Sequence, residues 1–222
     1  MGTSQSYRAP NTSRWAAFVT AIASGAPLDR VRSELFNAGN EWQEALSSAA
    51  VASFATTVEA LHADMPRRLV ESQSTAAAVS DALAEARLSS HEAGFSAAVS
   101  LAERALGRYL LTGVVGSDSP EAAAAQWLAH RGQTPQQSVA SFLGEVLAQY
   151  ARHVTDREAG RLAESRIGAG ASARLADDVA RQSAALVESI TFRADVGRAS
   201  EAWPQLVAAA FETGRVLPRG QR

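Results

Sequence analysis

The sequence predicts an all-α fold: a single multi-helix globular domain with a flexible N-terminal tail. Apolar residues recur at spacings of three and four, and residues typical of helix N-caps precede most of these periodic segments. No alternating apolar run is long enough to indicate a sheet, and 222 residues suffice for one buried core. We therefore predict at least seven helices in a domain over residues 12–216, with a disordered N-terminal tail over 1–11 and a disordered C-terminal end over 217–222.

The first predicted helix begins near Arg14, after the capping side chains of residues 11–13. Pro27 fits the first turn of a second helix, which Gly39 closes. A longer helical run is predicted from about Asn40 to Ala63, where Met65-Pro66 stops it. The apolar positions expected to face the core in the first two helices are Trp15, Phe18, Val19, Ile22, Leu28, Val31, Leu35 and Phe36.

The middle of the chain predicts a helical pair, or one kinked helix, over residues 66–87, with a break near 72–75. Ser89 and Glu92 have the spacing of a capping box, which predicts a helix through Tyr109. Residues 113–118 form a predicted loop. Ser119-Pro120 then starts a helix that carries Trp127 and ends at Gly132.

The last third begins with the capping pattern Thr134 to Gln137, which leads into the most regular amphipathic segment, through Tyr150. Thr155 and Glu158 repeat the capping spacing and predict a further helix start. The glycine-rich stretch 167–171 predicts a flexible break, with Gly168-x-Gly170 interpreted as a linker. Two final helices are expected over about 172–192 and 200–216.

Composition excludes several classes of function. The formal net charge is -2, and basic residues are scattered among acidic ones, so neither direct nucleic-acid nor membrane binding is expected. The chain has no cysteine, which rules out disulfides and thiolate chemistry. It also contains no apolar stretch of bilayer length and no secretory signal, so we expect a cytoplasmic protein.

The residues that could carry chemistry are few. Glu59 and His62 form a Glu-x-x-His pair, which occurs twice in carboxylate-bridged di-iron bundles, but this sequence contains no second copy. His91-Glu92 is better explained as a helix start. The four tryptophans lie in apolar helical patterns and are interpreted as core. We therefore predict no catalytic residues, no metal site, no cofactor and no enzyme activity.

The first ten residues differ from this helical pattern. Met1-Gly2-Thr3-Ser4, followed by a polar stretch that contains Ser6 and ends at Pro10, resembles the start of the QatB-like proteins of Qat anti-phage defence systems in bacteria. The resemblance implies that a QueC-like partner enzyme attaches a deazaguanine group to the N-terminal glycine. Gly2 would be the acceptor, and Thr3 and Ser4 the tail residues that the partner reads.

Other interpretations of the tail stay open from the sequence. Gly2 and Ser6 also match the N-myristoylation pattern, which requires a eukaryotic transferase, whereas the arginine-only, alanine-rich composition is typical of GC-rich bacteria. The main alternative is a helical adaptor or regulatory protein-protein interaction module with a merely disordered tail. Further defence-system proteins are possible partners in the first case.

Overall fold

The computed structural model describes the backbone of residues 13–90, 96–130, 134–163, 169–189, 198 and 200–216. These ranges contain ten α-helices and no strand, which confirms the predicted all-α class. The helices are α1 (Ser13–Ala23), α2 (Leu28–Ala38), α3 (Asn40–Leu46), α4 (Ala49–Glu71), α5 (Thr75–Ser90), α6 (Ala97–Thr112), α7 (Pro120–His130), α8 (Pro135–Ala163), α9 (Ala169–Ala185) and α10 (Trp203–Arg215). A short 3-10 turn, Leu186–Ser189, follows α9. Among the helices described, none has both the length and the apolar character required to cross a membrane.

Two long helices, α4 and α8, form the centre of the bundle. Helix α4 packs against α5, α6, α7 and α8, while α8 also packs against α6 and forms a close pair with α9. Helices α1 and α2 form a second pair, and α10 packs against α2 and α3. Buried apolar residues from α1 to α10 form one continuous hydrophobic core. All four tryptophans are buried in that core, as predicted.

The predicted helical run over residues 40–63 is in fact two helices, α3 and α4, separated at Ser47 and Ser48. The indole Nε1 of Trp203 in α10 donates a hydrogen bond of 2.8 Å to the carbonyl of Leu46, the last residue of α3. A carbonyl at a helix C-terminus lacks an intrahelical partner, and here a distant tryptophan supplies one. This break depends on a tertiary contact, so local periodicity did not reveal it.

Met65-Pro66 does not stop α4, contrary to the prediction, because the helix continues through Pro66 to Glu71. A proline inside a helix costs about 3 kcal/mol. Met65 and Leu69, which flank Pro66, are fully buried, and Arg68 on the far side donates to Asp64 at 2.5 Å. Core burial and this ion pair offset the cost of the proline. The break predicted near 72–75 is confirmed, since residues 72–74 separate α4 from α5.

The three predicted capping patterns had different outcomes. Thr134 and Gln137 do form a reciprocal cap: the Gln137 amide donates to Thr134 Oγ1 at 3.3 Å, and the Thr134 amide donates to Gln137 Oε1 at 3.1 Å. Ser89 instead lies in the last turn of α5 and Glu92 falls outside the described residues, as does His91, while the N-cap of α6 is Ser96.

Thr155 and Glu158 do not start a helix either, because α8 runs without interruption to Ala163. Both side chains are buried within the helix. A three-residue spacing places two side chains on one face of any helix, so the same pattern fits a cap and a helix interior. Burial against neighbouring helices, which the sequence does not report, distinguishes the two.

The C-terminal helices differ from the prediction mainly at their ends. Helix α9 begins at Ala169, so residues 169–171 of the predicted flexible break are helical, while 164–168 lie outside the described residues. Its described part ends with the 3-10 turn at Ser189. Helix α10 begins at Trp203 with Pro204 in its first turn, as expected.

Close packing at the junction of α2, α3 and α10 requires two glycines. The rings of Phe36, Tyr150 and Phe211 meet there, with centroids 4.9 to 5.8 Å apart. A Cβ on Gly214 would lie 2.6 Å from the Phe36 ring, and one on Gly39 would lie 2.2 Å from the Tyr150 hydroxyl oxygen. Gly39 therefore does more than close α2, because it leaves room for a buried tyrosine.

Candidate functional site

The predicted modification residues, Gly2, Thr3 and Ser4, lie outside the described residues. The predicted tail over 1–11 and the predicted end over 217–222 also lie outside them. The described chain starts at Ser13, an exposed residue at the beginning of α1. The surface next to Ser13 is therefore the described part of the protein that stands closest in sequence to the predicted site.

Ser13 lines an open, polar cleft of about 520 Å³, which we call the chain-end cleft. Residues from both ends of the described helical body form it, since Arg215 is the last residue of α10. The remaining lining residues come from α1, α2 and α3: Arg14, Ala17, Glu34, Asn37 and Asn40. The first residue of α1 and the last residue of α10 therefore lie on the same face of the described body.

Arg215 links three helices at this cleft through hydrogen bonds. Its guanidinium donates to the Phe36 carbonyl at 3.2 Å, to Asn40 Oδ1 at 2.8 Å and to Gln43 Oε1 at 2.6 Å. The Ser33 hydroxyl donates to the Arg215 backbone carbonyl at 2.7 Å. These bonds join the end of α10 to α2 and α3, and they occupy most of the donors of this arginine.

The polar side chains of the chain-end cleft offer both donors and acceptors. Arg14 offers hydrogen-bond donors, Glu34 offers acceptors and Asn37 offers both. An extended peptide presents one donor and one acceptor on most residues, so such a mixed lining can bind backbone. Sequence reasoning did not single out these residues, because the cleft joins four helices that are distant along the chain.

Glu59 and His62 do not act together. Glu59 Oε2 accepts hydrogen bonds from the Ser200 backbone amide at 3.1 Å and from the Ser200 hydroxyl at 2.6 Å. His62 Nδ1 instead lies 2.7 Å from Ser138 Oγ on α8. The pair thus connects α4 to the turn before α10 and to α8. In the described ranges, histidine, aspartate and glutamate residues form no group of three or more that could hold a metal.

Several exposed arginines have neighbouring acids, in line with the scattering of basic among acidic residues in the sequence. Arg67 pairs with Asp64 and Glu71, and Arg181 pairs with Asp178. Hydrogen bonds from Arg68 and Arg67 hold the pKa of Asp64 below its ordinary value. These side chains carry out a structural role.

Comparison of the chain with protein-family models, with curated proteins and with solved structures returns no match. The family resemblance therefore depends on the residues quoted from the tail, and a function must be proposed from the chemistry of those residues and from the geometry of the helical body.

Proposed function

We propose that this protein is a non-enzymatic component of a bacterial, cytoplasmic anti-phage defence complex. Its N-terminal glycine, Gly2, is exposed by removal of Met1 and is the substrate for deazaguanine attachment by a QueC-like partner enzyme. Thr3 and Ser4 are the tail residues that the partner reads. The observation that carries the proposal is the Met1-Gly2-Thr3-Ser4 start followed by a polar stretch up to Pro10.

The chemistry of the chain supports modification at a single amine. All 21 basic residues are arginines, so a mature chain that begins at Gly2 has one primary amine, its α-amine. An α-amine has a pKa of about 7.7 to 8.0, against about 10.4 for lysine, so a useful fraction is neutral and nucleophilic near pH 7. As its nitrogen supplies the electron pair for the new bond to the deazaguanine group that the partner has activated, the bond from that group to its activating leaving group breaks. The leaving group departs with that electron pair, and the amine loses a proton.

The position of α1 supports access to this amine. Residues 2–12 precede Ser13 and, if fully extended, could span at most about 40 Å. That reach is longer than the depth of an enzyme pocket, so Gly2 could enter an active site while the helical body stays outside. The partner would then contact the face around the chain-end cleft, where Arg14 and Glu34 offer polar groups.

The unique amine permits a direct test. The protein is purified from cells with and without the neighbouring enzymes, and its intact mass and N-terminal peptide mass are measured. We expect a chain that begins at Gly2 and carries a deazaguanine group only when the partner is present. An amine-reactive ester should label the unmodified chain once and the modified chain not at all.

Two changes in the tail should abolish modification and defence while leaving the helical circular dichroism spectrum unchanged. One is deletion of Gly2 to Tyr7, and the other is Gly2→Leu, which retains Met1 and places a side chain where the backbone must approach the reacting centre. Gln5→Ala is the control that should be modified normally. An unmodified Gly2 together with full defence by the deletion variant would contradict the proposal and leave the helical adaptor.

A further inference from the structure

A second polar cleft, independent of the tail, lies between α6 and α8. It has a volume of about 360 Å³ and is lined by Arg104 from α6 and by Gln149, Arg152, His153, Asp156 and Arg157 from α8. The five α8 residues are spaced by one, three and four positions and so share one face of that helix. We call this surface the α6–α8 cleft.

The lining of the α6–α8 cleft has an excess of positive charge, with three guanidiniums and one carboxylate. Arg152 donates to Asp177 of α9 at 2.9 and 3.0 Å, and Arg157 donates to its neighbour Glu158 at 3.1 Å. Arg104 differs, because among the described residues it makes one hydrogen bond, from its Nε to the Ser100 carbonyl at 3.3 Å. Across the described ranges, no carboxylate lies within ion-pair distance of Arg104, so its terminal nitrogens can donate to a ligand.

His153 lies among these cations. Its imidazole packs edge-on against Trp42 of α3, with ring centroids 5.7 Å apart. Burial lowers the pKa of His153, and the positive charges of Arg157 and Arg104 lower it further. Burial likewise raises the pKa of Asp156, which Arg152 lowers and Asp177 raises. The charges of Arg157 and Arg104 therefore disfavour additional positive charge at His153 and favour an anion on that side of the cleft. At Asp156, by contrast, burial and the charge of Asp177 disfavour negative charge.

We propose that the α6–α8 cleft binds a small phosphate-bearing anion, held by the guanidinium of Arg104 with help from Arg152, Arg157 and the imidazole of His153. Guanidinium groups offer paired donors that match phosphate oxygens, and donors from two helices can surround a tetrahedral group. The volume lies at the lower end of the range for small-molecule sites, which favours a diphosphate or a phosphate monoester over a large cofactor.

Isothermal titration calorimetry of the full chain with inorganic pyrophosphate, at pH 7 and 150 mM NaCl, tests this site. We expect saturable binding with one site per chain. Arg104→Gln should weaken the affinity about tenfold, because it removes charge-assisted hydrogen bonds. The matched control is Arg108→Gln, one turn along α6, whose side chain is also exposed, pairs with Glu145 at 3.7 Å and does not line the cleft. It should retain wild-type affinity.

Nuclear magnetic resonance of the unaltered protein provides a second test that does not depend on a variant. A bound anion between Arg104 and Arg157 stabilises the imidazolium, so pyrophosphate should raise the pKa of His153. His153→Gln identifies the resonance. The other charged groups near the imidazole, Arg152, Asp156 and Asp177, are the same in both titrations.

Four outcomes would overturn the proposal. Three are the absence of saturable binding, equal weakening by Arg104→Gln and Arg108→Gln, and a His153 pKa that pyrophosphate leaves unchanged. The fourth is succinate binding as tight as that of pyrophosphate, which would favour an acidic protein partner. Because the tail takes no part in this site, the tail deletion should bind pyrophosphate normally whether or not Gly2 is modified.

Discussion

The chain-end cleft and the α6–α8 cleft are both polar, open and lined by arginine, but their arginines are used differently. Arg215 in the chain-end cleft donates to one carbonyl and two amide oxygens of α2 and α3. Arg104 in the α6–α8 cleft makes a single hydrogen bond of 3.3 Å within its own helix. Arg215 therefore links α10 to α2 and α3, whereas the terminal nitrogens of Arg104 have no acceptor among the described residues.

This difference shows that the presence of an arginine in a cleft does not indicate its role, whereas the number of its donors already used does. It also separates two kinds of surface. Beside the chain-end cleft the helices are fixed by close contacts, including those at Gly39 and Gly214. In the α6–α8 cleft, Arg152 and Arg157 have acidic partners, whereas Arg104 has no carboxylate within ion-pair distance among the described residues.

The largest expected effect concerns the tight junction beside the chain-end cleft. Gly214→Ala places a methyl group 2.6 Å from the buried Phe36 ring, so we expect the free energy of unfolding to fall by about 2 kcal/mol. Gly107 of α6 has open space around its Cβ position, and Gly107→Ala should raise the free energy of unfolding by about 0.5 to 1 kcal/mol.

Urea denaturation of both alanine variants measures this contrast. Both glycines are helical, so the difference between the variants isolates packing from helix propensity. Equal stability of the two variants would show that the α2–α10 junction can relax, and would break the comparison between a rigid and an open face.

An intermediate effect is expected from the arginines themselves. Arg215→Gln removes hydrogen bonds to Phe36, Asn40 and Gln43, and we expect a loss of about 1.5 kcal/mol in the free energy of unfolding. Arg14→Gln, in the same cleft but exposed, should change it by less than about 0.5 kcal/mol. Arg104→Gln should change the free energy of unfolding as little as Arg14→Gln does. A decrease as large as that caused by Arg215→Gln would assign Arg104 a structural role.

The smallest expected effect is the contribution of His153, in the α6–α8 cleft, to the pH dependence of stability. Since the pKa of His153 is lowered from its usual 6.5, the unfolded chain takes up this proton at a higher pH than the folded protein. Stability contributed by the neutral imidazole is therefore present above pH 6.5 and is lost as the pH falls toward the folded pKa. Urea denaturation at pH 7.5 and 5.5 measures the free energy of unfolding, which should change less between the two pH values for His153→Gln than for the wild type. An identical change in both proteins would contradict a lowered pKa for His153.

The sequence determined the fold class, most helices and the identity of the core. Three-to-four apolar spacing identified Phe18, Val31 and Leu35 as inward residues. Local caps such as Thr134 with Gln137 set helix ends, because these features depend on residues a few positions apart. The sequence also established that the chain contains no lysine, since this is a property of composition alone.

Only the tertiary structure decided features that depend on distant residues. Trp203 ends α3 from 157 residues away, and burial of Met65 and Leu69 carries α4 through Pro66. Glu59 and His62 share one helix face, but Glu59 accepts hydrogen bonds from Ser200 and His62 lies within hydrogen-bond distance of Ser138. Both clefts form where helices remote in sequence meet. The local sequence pattern indicates which side chains share a face of one helix. The packing of the helices decides which groups lie opposite that face.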